Sequence, residues 1–170
     1  MSFFQELNTN IKIVEDLLLA DADLCLLLYS NNINPLAQTP IVDTKVLRMV
    51  NLFPLPKMPD VQDKQKSFLN YYFDTMRPWD NFKFRKTYLC FDVICHLDLW
   101  LITEAVRPYA ILSKIDAIFN DASIKTASIN SLSNKNIFFD TCDMTKYSDK
   151  FYGYHITYDL TKNSNFRCTG

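Results

Sequence analysis

Glycine is almost missing from this chain: of 170 residues, only Gly153 and Gly170 lack a side chain. Loops that cradle phosphate need several glycines in register, so Walker-type and dinucleotide-binding loops are excluded, and turns fall to Asn, Asp, Ser and Pro. Excess charge of one sign is missing as well. Lys and Arg total 18 against 19 Asp and Glu, and with no basic run, bulk attraction to nucleic acid or anionic membrane is not expected. The small group Lys83, Arg85 and Lys86 reads as a solvated strand end. Cysteine pairing lacks a pattern: Cys25, Cys90, Cys95, Cys142 and Cys168 are odd in number and contain no CxxC, which favours reduced thiols over a disulfide scaffold. His96 and His155 are the only histidines and neither sits at ligand spacing, so no metal or cofactor is expected. Long apolar runs are absent too. Leu17 to Tyr29 is broken by Asp21 and Asp23, and the opening Met-Ser-Phe-Phe-Gln-Glu has no basic leader, so a soluble protein without a membrane partner is expected.

What is present is a folding composition, 48% hydrophobic and 14% aromatic, at a length that suits one domain. The organising stretch is Phe84 to Phe119. Leu89, Phe91, Val93 and Cys95 alternate onto one wholly apolar face, and Tyr88, Cys90, Asp92 and Ile94 onto a mixed face that is expected to be only partly covered. Arg107-Pro108 then opens a helix with Ile111, Leu112, Ile115, Ile118 and Phe119 on one side, closed by Asn120-Asp121. Upstream, Ser2 caps an amphipathic helix through Phe4, Leu7, Ile11, Val14 and Leu18, and a second helical piece starts after Asp21 or Asp23. Gln65 to Arg77 and Phe82 to His96 form a hairpin across a turn at Pro78-Trp79-Asp80-Asn81. Leu97 to Thr103 reads as an extension or third strand, Ile124 to Ile129 as a weak strand, Asn136 to Cys142 as another, and Asp143 to Lys150 as a polar loop. Tyr152, Tyr154, Ile156, Tyr158 and Leu160 share one face of the closing strand, Phe151 to Leu160. The fold class is α+β: an antiparallel sheet, an N-terminal helical segment, and one helix at 107–120 packed on the sheet. Residues 1–160 form a single domain with a long proline-containing loop at 30–64, and 161–170 a flexible tail. That loop holds Leu47, Leu52, Phe53, Leu55 and Met58, too apolar for a free linker, so it lies on its own domain or on a neighbour.

Catalytic patterns are sparse. GxSxG and HExxH do not occur, so no catalytic residue is assigned. His96 and Asp98 resemble half a dyad, although alternate strand residues share a face for geometric reasons alone. Asp92, Asp98, Glu104 and Lys114 would be the residues of a small metal-dependent nuclease, the alternative reading, yet the acid, spacer, acid-x-lysine order is lacking. A third reading is a protein-protein adaptor that pairs through a strand edge. His155 reads as an exposed or hydrogen-bonded histidine.

The surplus of large aromatics, including Tyr71, Tyr72, Phe73, Trp79 and Trp100, points instead to contact surface. In order, Leu-Cys-Phe-Asp-Val-Ile-Cys-His-Leu-Asp-Leu-Trp, then Arg-Pro-Tyr-Ala-Ile-Leu-Ser-Lys-Ile-Asp-Ala-Ile-Phe-Asn, then Phe-Tyr-Gly-Tyr-His-Ile-Thr-Tyr-Asp-Leu resemble the small neck proteins of tailed bacteriophages. These are the tail-completion, tail-terminator and head-closure proteins, and the likeness covers Lys86 to Leu160. An Asn, Lys, Ile and Tyr bias suggests an AT-rich genome such as that of a crAss-like gut phage. The resemblance implies a virion structural protein made in the bacterial cytoplasm and assembled as a ring of about six or twelve copies. Its partners would be the portal or adjacent neck and tail proteins, with DNA passing through the lumen without specific binding. Contact residues implied on this basis are Leu47, Phe53 and Leu55 in the loop, Trp79, Asp80 and Lys83 at the hairpin tip, and Lys146, Tyr147 and Tyr152 near the last turn.

Overall fold

The computed structural model describes residues 3–60, 64–79, 84–120 and 137–160. Its architecture is α+β. Helix α1 (Phe3–Ala20) follows the expected apolar spacing, with Val14 and Leu18 reaching the core. Helix α2 (Ala22–Tyr29) starts where Asp21 accepts a hydrogen bond from the Leu24 amide at 2.8 Å, an N-cap that satisfies one of the free donors of the first turn. Its residues Leu24 to Leu28 are all buried, because α2 is enclosed by α1, α3 and the sheet. Strand β1 (Leu52–Phe53) is brief. Strands β2 (Ser67–Trp79) and β3 (Phe84–His96) form the expected hairpin, β4 (Leu101–Ile102) and β5 (Ala105–Val106) a separate small one, and helix α3 (Arg107–Asn120) follows. Strands β6 (Phe138–Lys146) and β7 (Phe151–Asp159) complete a five-stranded sheet of order β1-β2-β3-β7-β6. All neighbours in it are antiparallel except β1, which runs parallel to β2.

The three helices lie against the face that carries Leu89, Phe91, Val93 and Cys95. Phe91 sits at the centre, 5.1 Å from the Phe119 ring and 5.9 Å from Tyr158. Each such fully buried side chain contributes about 1.5–3 kcal/mol. Gly153 has its place here: a Cβ would collide with the Val93 carbonyl oxygen across the β7–β3 ladder, so this position accepts no side chain.

The structure differs from the sequence-based expectation at four places. Pro78 and Trp79, read as part of the hairpin turn, belong to β2 and pair with Arg85 and Phe84. Leu97 to Thr103 is not a third strand; Leu97–Leu99 is a 3₁₀ turn capped by His96, and only Leu101–Ile102 pair, with Ala105–Val106. Asp143 to Lys146 belong to β6, so the polar connection shrinks to residues 147–150. The mixed face of β3 is buried too, apart from the half-buried Tyr88. Cys90, Asp92, Ile94 and His96 are all enclosed, because Phe53, Phe68, Ile94 and Phe151 form a second small core there with Tyr147 packed against it. The weak strand at 124–129, the polar turn before 137 and the tail at 161–170 lie outside the described residues.

Candidate functional site

The long connection after α2 behaves as a strap that is pinned from below and apolar above. Pro35, Leu47, Leu52 and Phe53 are buried in the chain's own core. Asn51, also buried, donates from one amide nitrogen to the carbonyls of Leu28 and Ser67, each at 2.9 Å, and so ties α2, β1 and β2 together. Asp43 caps the 3₁₀ turn Thr44–Leu47, and Met49 takes φ 56, the left-handed conformation, to reverse the chain into β1. The main pin is Arg107. With 0% of it exposed, its guanidinium donates to the carbonyls of Leu99 (2.9 Å), Leu27 (2.8 Å), Ser30 (2.6 Å) and Asn32 (2.7 Å). Leu27 lies in the last turn of α2, whose free carbonyls carry the negative end of the helix dipole, so a cation fits there. Burial pushes the Arg107 pKa down from its ordinary value, and no carboxylate is among these acceptors.

Held this way, the strap turns apolar side chains outward. Fourteen large hydrophobic side chains are exposed among the described residues, and nine of them fall between Tyr29 and Met58, including Ile33, Leu36, Val42, Met49 and Met58. Scattered exposed hydrophobics are ordinary; such a concentration on one segment is not.

The second feature is a polar hub under the strap's end. Register places Asn70, Asp92, His155 and Asp143 in one row across β2, β3, β7 and β6. Asp92, 5% exposed, accepts from His155 Nδ1 at 2.7 Å, from the Tyr147 hydroxyl at 3.3 Å and from Asn70 Nδ2 at 3.1 Å. Asn70 also donates to the Lys57 carbonyl at 2.9 Å, and the Lys57 ammonium lies 4.4 Å from the Phe53 ring centre. One carboxylate therefore joins the strap, the sheet and the β6–β7 turn. Because a carboxylate only accepts, His155 Nδ1 carries the proton, leaving Nε2 as the second proton site. The bond to Asp92 raises the His155 pKa, aided by the charges of Asp92, Asp143 and Asp74 and opposed by burial. Burial, followed by the charge of Asp92, drives the Tyr72 and Tyr147 hydroxyls upward.

The residues imagined as a nuclease centre are not gathered. Asp92 faces His155, Asp98 accepts from Gln65 at 2.6 Å, and Lys114 pairs with Asp23 at 2.6 Å on the helical layer. Glu104 stands at the turn between β4 and β5. Among the described residues no three His, Cys, Asp or Glu side chains are placed to hold a metal ion. His96 and Asp98 do lie together: His96 Nδ1 accepts from the Asp98 amide at 3.2 Å and stands 3.5 Å from the Asp98 carboxylate, at the cap of the 3₁₀ turn. Burial pushes the thiols of Cys25 to about 11 and of Cys90 and Cys95 to about 12.

The YomW family model matches residues 21–160, from the N-cap of α2 to the residue after β7. The chain belongs to the YomW family. YomW is a protein of the Bacillus phage SPbeta region, which gives the family a phage association. No curated protein and no solved structure matches the chain. The Arg107 pin, the strap and the Asp92 hub all fall inside the YomW match, whereas α1 precedes it. Within this YomW-family fold the contact residues inferred from sequence separate into distinct groups. Leu47 and Phe53 are buried inside their own subunit, in the main and second cores respectively. Leu55 is exposed on the strap. Tyr147 reaches the hub, Lys146 pairs with Asp149 at 2.9 Å in solvent, and the Lys146 ammonium lies over the half-buried Tyr152 ring at 5.8 Å. Trp79 is the last residue of β2, while Asp80 and Lys83 lie outside the described residues. No described helix is long and apolar enough to cross a membrane.

Sequence reasoning missed Arg107, Asn51 and the hub. Arg107 did leave a signal, since a cation at the first position of a helix opposes the dipole and needs another reason to be there. Asp92 did too, as a charge amid an apolar strand.

Proposed function

We propose that the chain is a structural subunit of a tailed-phage particle that assembles with copies of itself into a ring at the head-to-tail neck. The observation that carries this reading is the strap: a segment pinned by Arg107 and Asn51 to its own subunit, yet bearing most of the large apolar side chains exposed among the described residues. A surface built rigidly and left greasy is complete only against a partner. The phage association of the YomW family supports the setting. The test is native mass spectrometry of the purified chain over rising concentration, with negative-stain imaging of phage particles that contain it. A closed ring of about six or twelve copies, or labelled density at the neck, is the expected result. A chain that stays monomeric and is missing from purified particles would overturn the proposal.

A further inference from the structure

We infer, resting on the self-assembly reading above, that β6 of one copy adds as an antiparallel strand to the outer edge of β2 in the next, seating Met144 in the groove beside α1. Strand β6 closes one end of the sheet and pairs only with β7 among the described residues. Phe139 and Met144 are 50% and 63% exposed, and the residues between them are also exposed on both faces. An edge of this length that no other described strand covers is a template for another strand. Its parity is fixed by the turn: the Tyr147 amide donates to the Phe151 carbonyl at 3.0 Å, so by the two-residue period Asp143 and Thr145 bond to β7. Cys142, Met144 and Lys146 then turn their main-chain groups outward.

The opposite end of the sheet offers the complement. Strand β1 covers β2 only at Leu69 and Asn70, and the Leu69 amide donates outward to the Asn51 carbonyl at 2.7 Å. The same period turns Tyr71 and Phe73 outward; the parallel pairing of Phe53 with Asn70 uses the Tyr71 amide on the Phe53 carbonyl, so the Tyr71 carbonyl and the main chain of Phe73 are what lies past the end of β1. Successive antiparallel pairings make β6 run opposite to β2, so a copy carried around an axis along the strands presents β2 antiparallel to β6. Side chains agree with this arrangement. Met144 stands opposite Tyr154 and so points to the helical side of the sheet, as does Tyr71, which stands opposite Phe91. On that side, next to Tyr71, lies a groove of about 340 Å³ lined by Ile11, Leu52, Pro54 and Tyr71 among others. An added strand places its methionine there. The contact is head-to-tail, and a head-to-tail contact that closes gives a ring.

The experiment is hydrogen exchange on the full chain, compared between monomer and assembled ring. Amides of Cys142 and Met144 in β6 and of Phe73 in β2 are expected to slow together by at least about tenfold, while the Tyr71 amide, already bonded within the monomer, is the internal reference. If rings form and neither edge slows, or β6 slows alone as it would in β6-to-β6 pairing, the inference is overturned while the ring reading stands. A chain that never assembles overturns the ring reading and this inference with it. Met144→Pro removes an outward donor and no bond to β7, so it should leave the monomer folded and abolish assembly. Met144→Asp keeps the backbone and is expected to weaken assembly about tenfold or more. Assembly of both variants at wild-type concentration would also refute the pairing.

Discussion

Replacing Arg107 by Met keeps much of the side-chain volume and removes every donor. Four carbonyl oxygens, of Leu27, Ser30, Asn32 and Leu99, then lose their partner in the interior. Each stranded polar group costs roughly 1 kcal/mol or more, giving about 4 kcal/mol. Removing a desolvated charge returns part of that, and water reaching the strap's outer carbonyls returns a little more. One-sided disruption of buried charged constellations generally costs about 3–5 kcal/mol, and we expect that range here. Since a whole domain is stable by only about 5–15 kcal/mol, the loss is large. Urea unfolding followed by circular dichroism and tryptophan fluorescence measures it. For a chain of this size the melting temperature should fall by roughly 6–20 °C. Arg107→Lys should lose about half as much, because an ammonium lacks the planar fork that spans separated acceptors. An Arg107→Met variant within about 1 kcal/mol of wild type would refute the idea that this guanidinium holds α2, the strap and α3 together.

Three further outcomes follow from the geometry. Gly153→Ala should cost at least the upper end of the roughly 1–3 kcal/mol seen on overpacking, because the clash is with β3 backbone; wild-type urea midpoints would contradict it. His155 binds its proton more tightly in the folded state than its ordinary value of 6.5, so its contribution is full below that value and is lost as pH rises through the higher folded one. Wild-type stability should therefore decline above about pH 6.5, and His155→Gln or Asp92→Asn should flatten that slope in a pH series of unfolding curves. Asn51→Ala removes two buried hydrogen bonds, should cost about 2 kcal/mol, and should speed limited proteolysis within the strap relative to β3; unchanged cleavage would argue against the strap being pinned there.

The sheet and its helices were legible because their signals are local. Alternation in β3 and β7, threefold and fourfold spacing in α1 and α3, and Asp21 before α2 each announce an element without knowledge of the rest. The misreadings arose where long-range contacts decide. Leu97 to Thr103 is apolar enough for a strand, but it is bent into a turn once His96 caps the Asp98 amide and the Arg107 amide bonds the Trp100 carbonyl. Asp143 to Lys146 looked like loop by composition, yet pairing with β7 overrides propensity at an edge whose side chains need no burial. Leu47 and Phe53 sit among exposed residues in sequence, yet both are buried in the subunit's own cores. Nothing local tells a pinning side chain from its outward neighbours such as Val46 or Leu55.

The acceptors around Arg107 all belong to the main chain, which every residue type provides. Positions 27, 30, 32 and 99 can therefore drift in identity without disturbing the contact, so long as the backbone path is kept, while the donor side has one acceptable occupant. Comparison of divergent relatives should then find a solitary invariant arginine with no covarying counterpart, a pattern easily mistaken for a residue awaiting an anionic ligand.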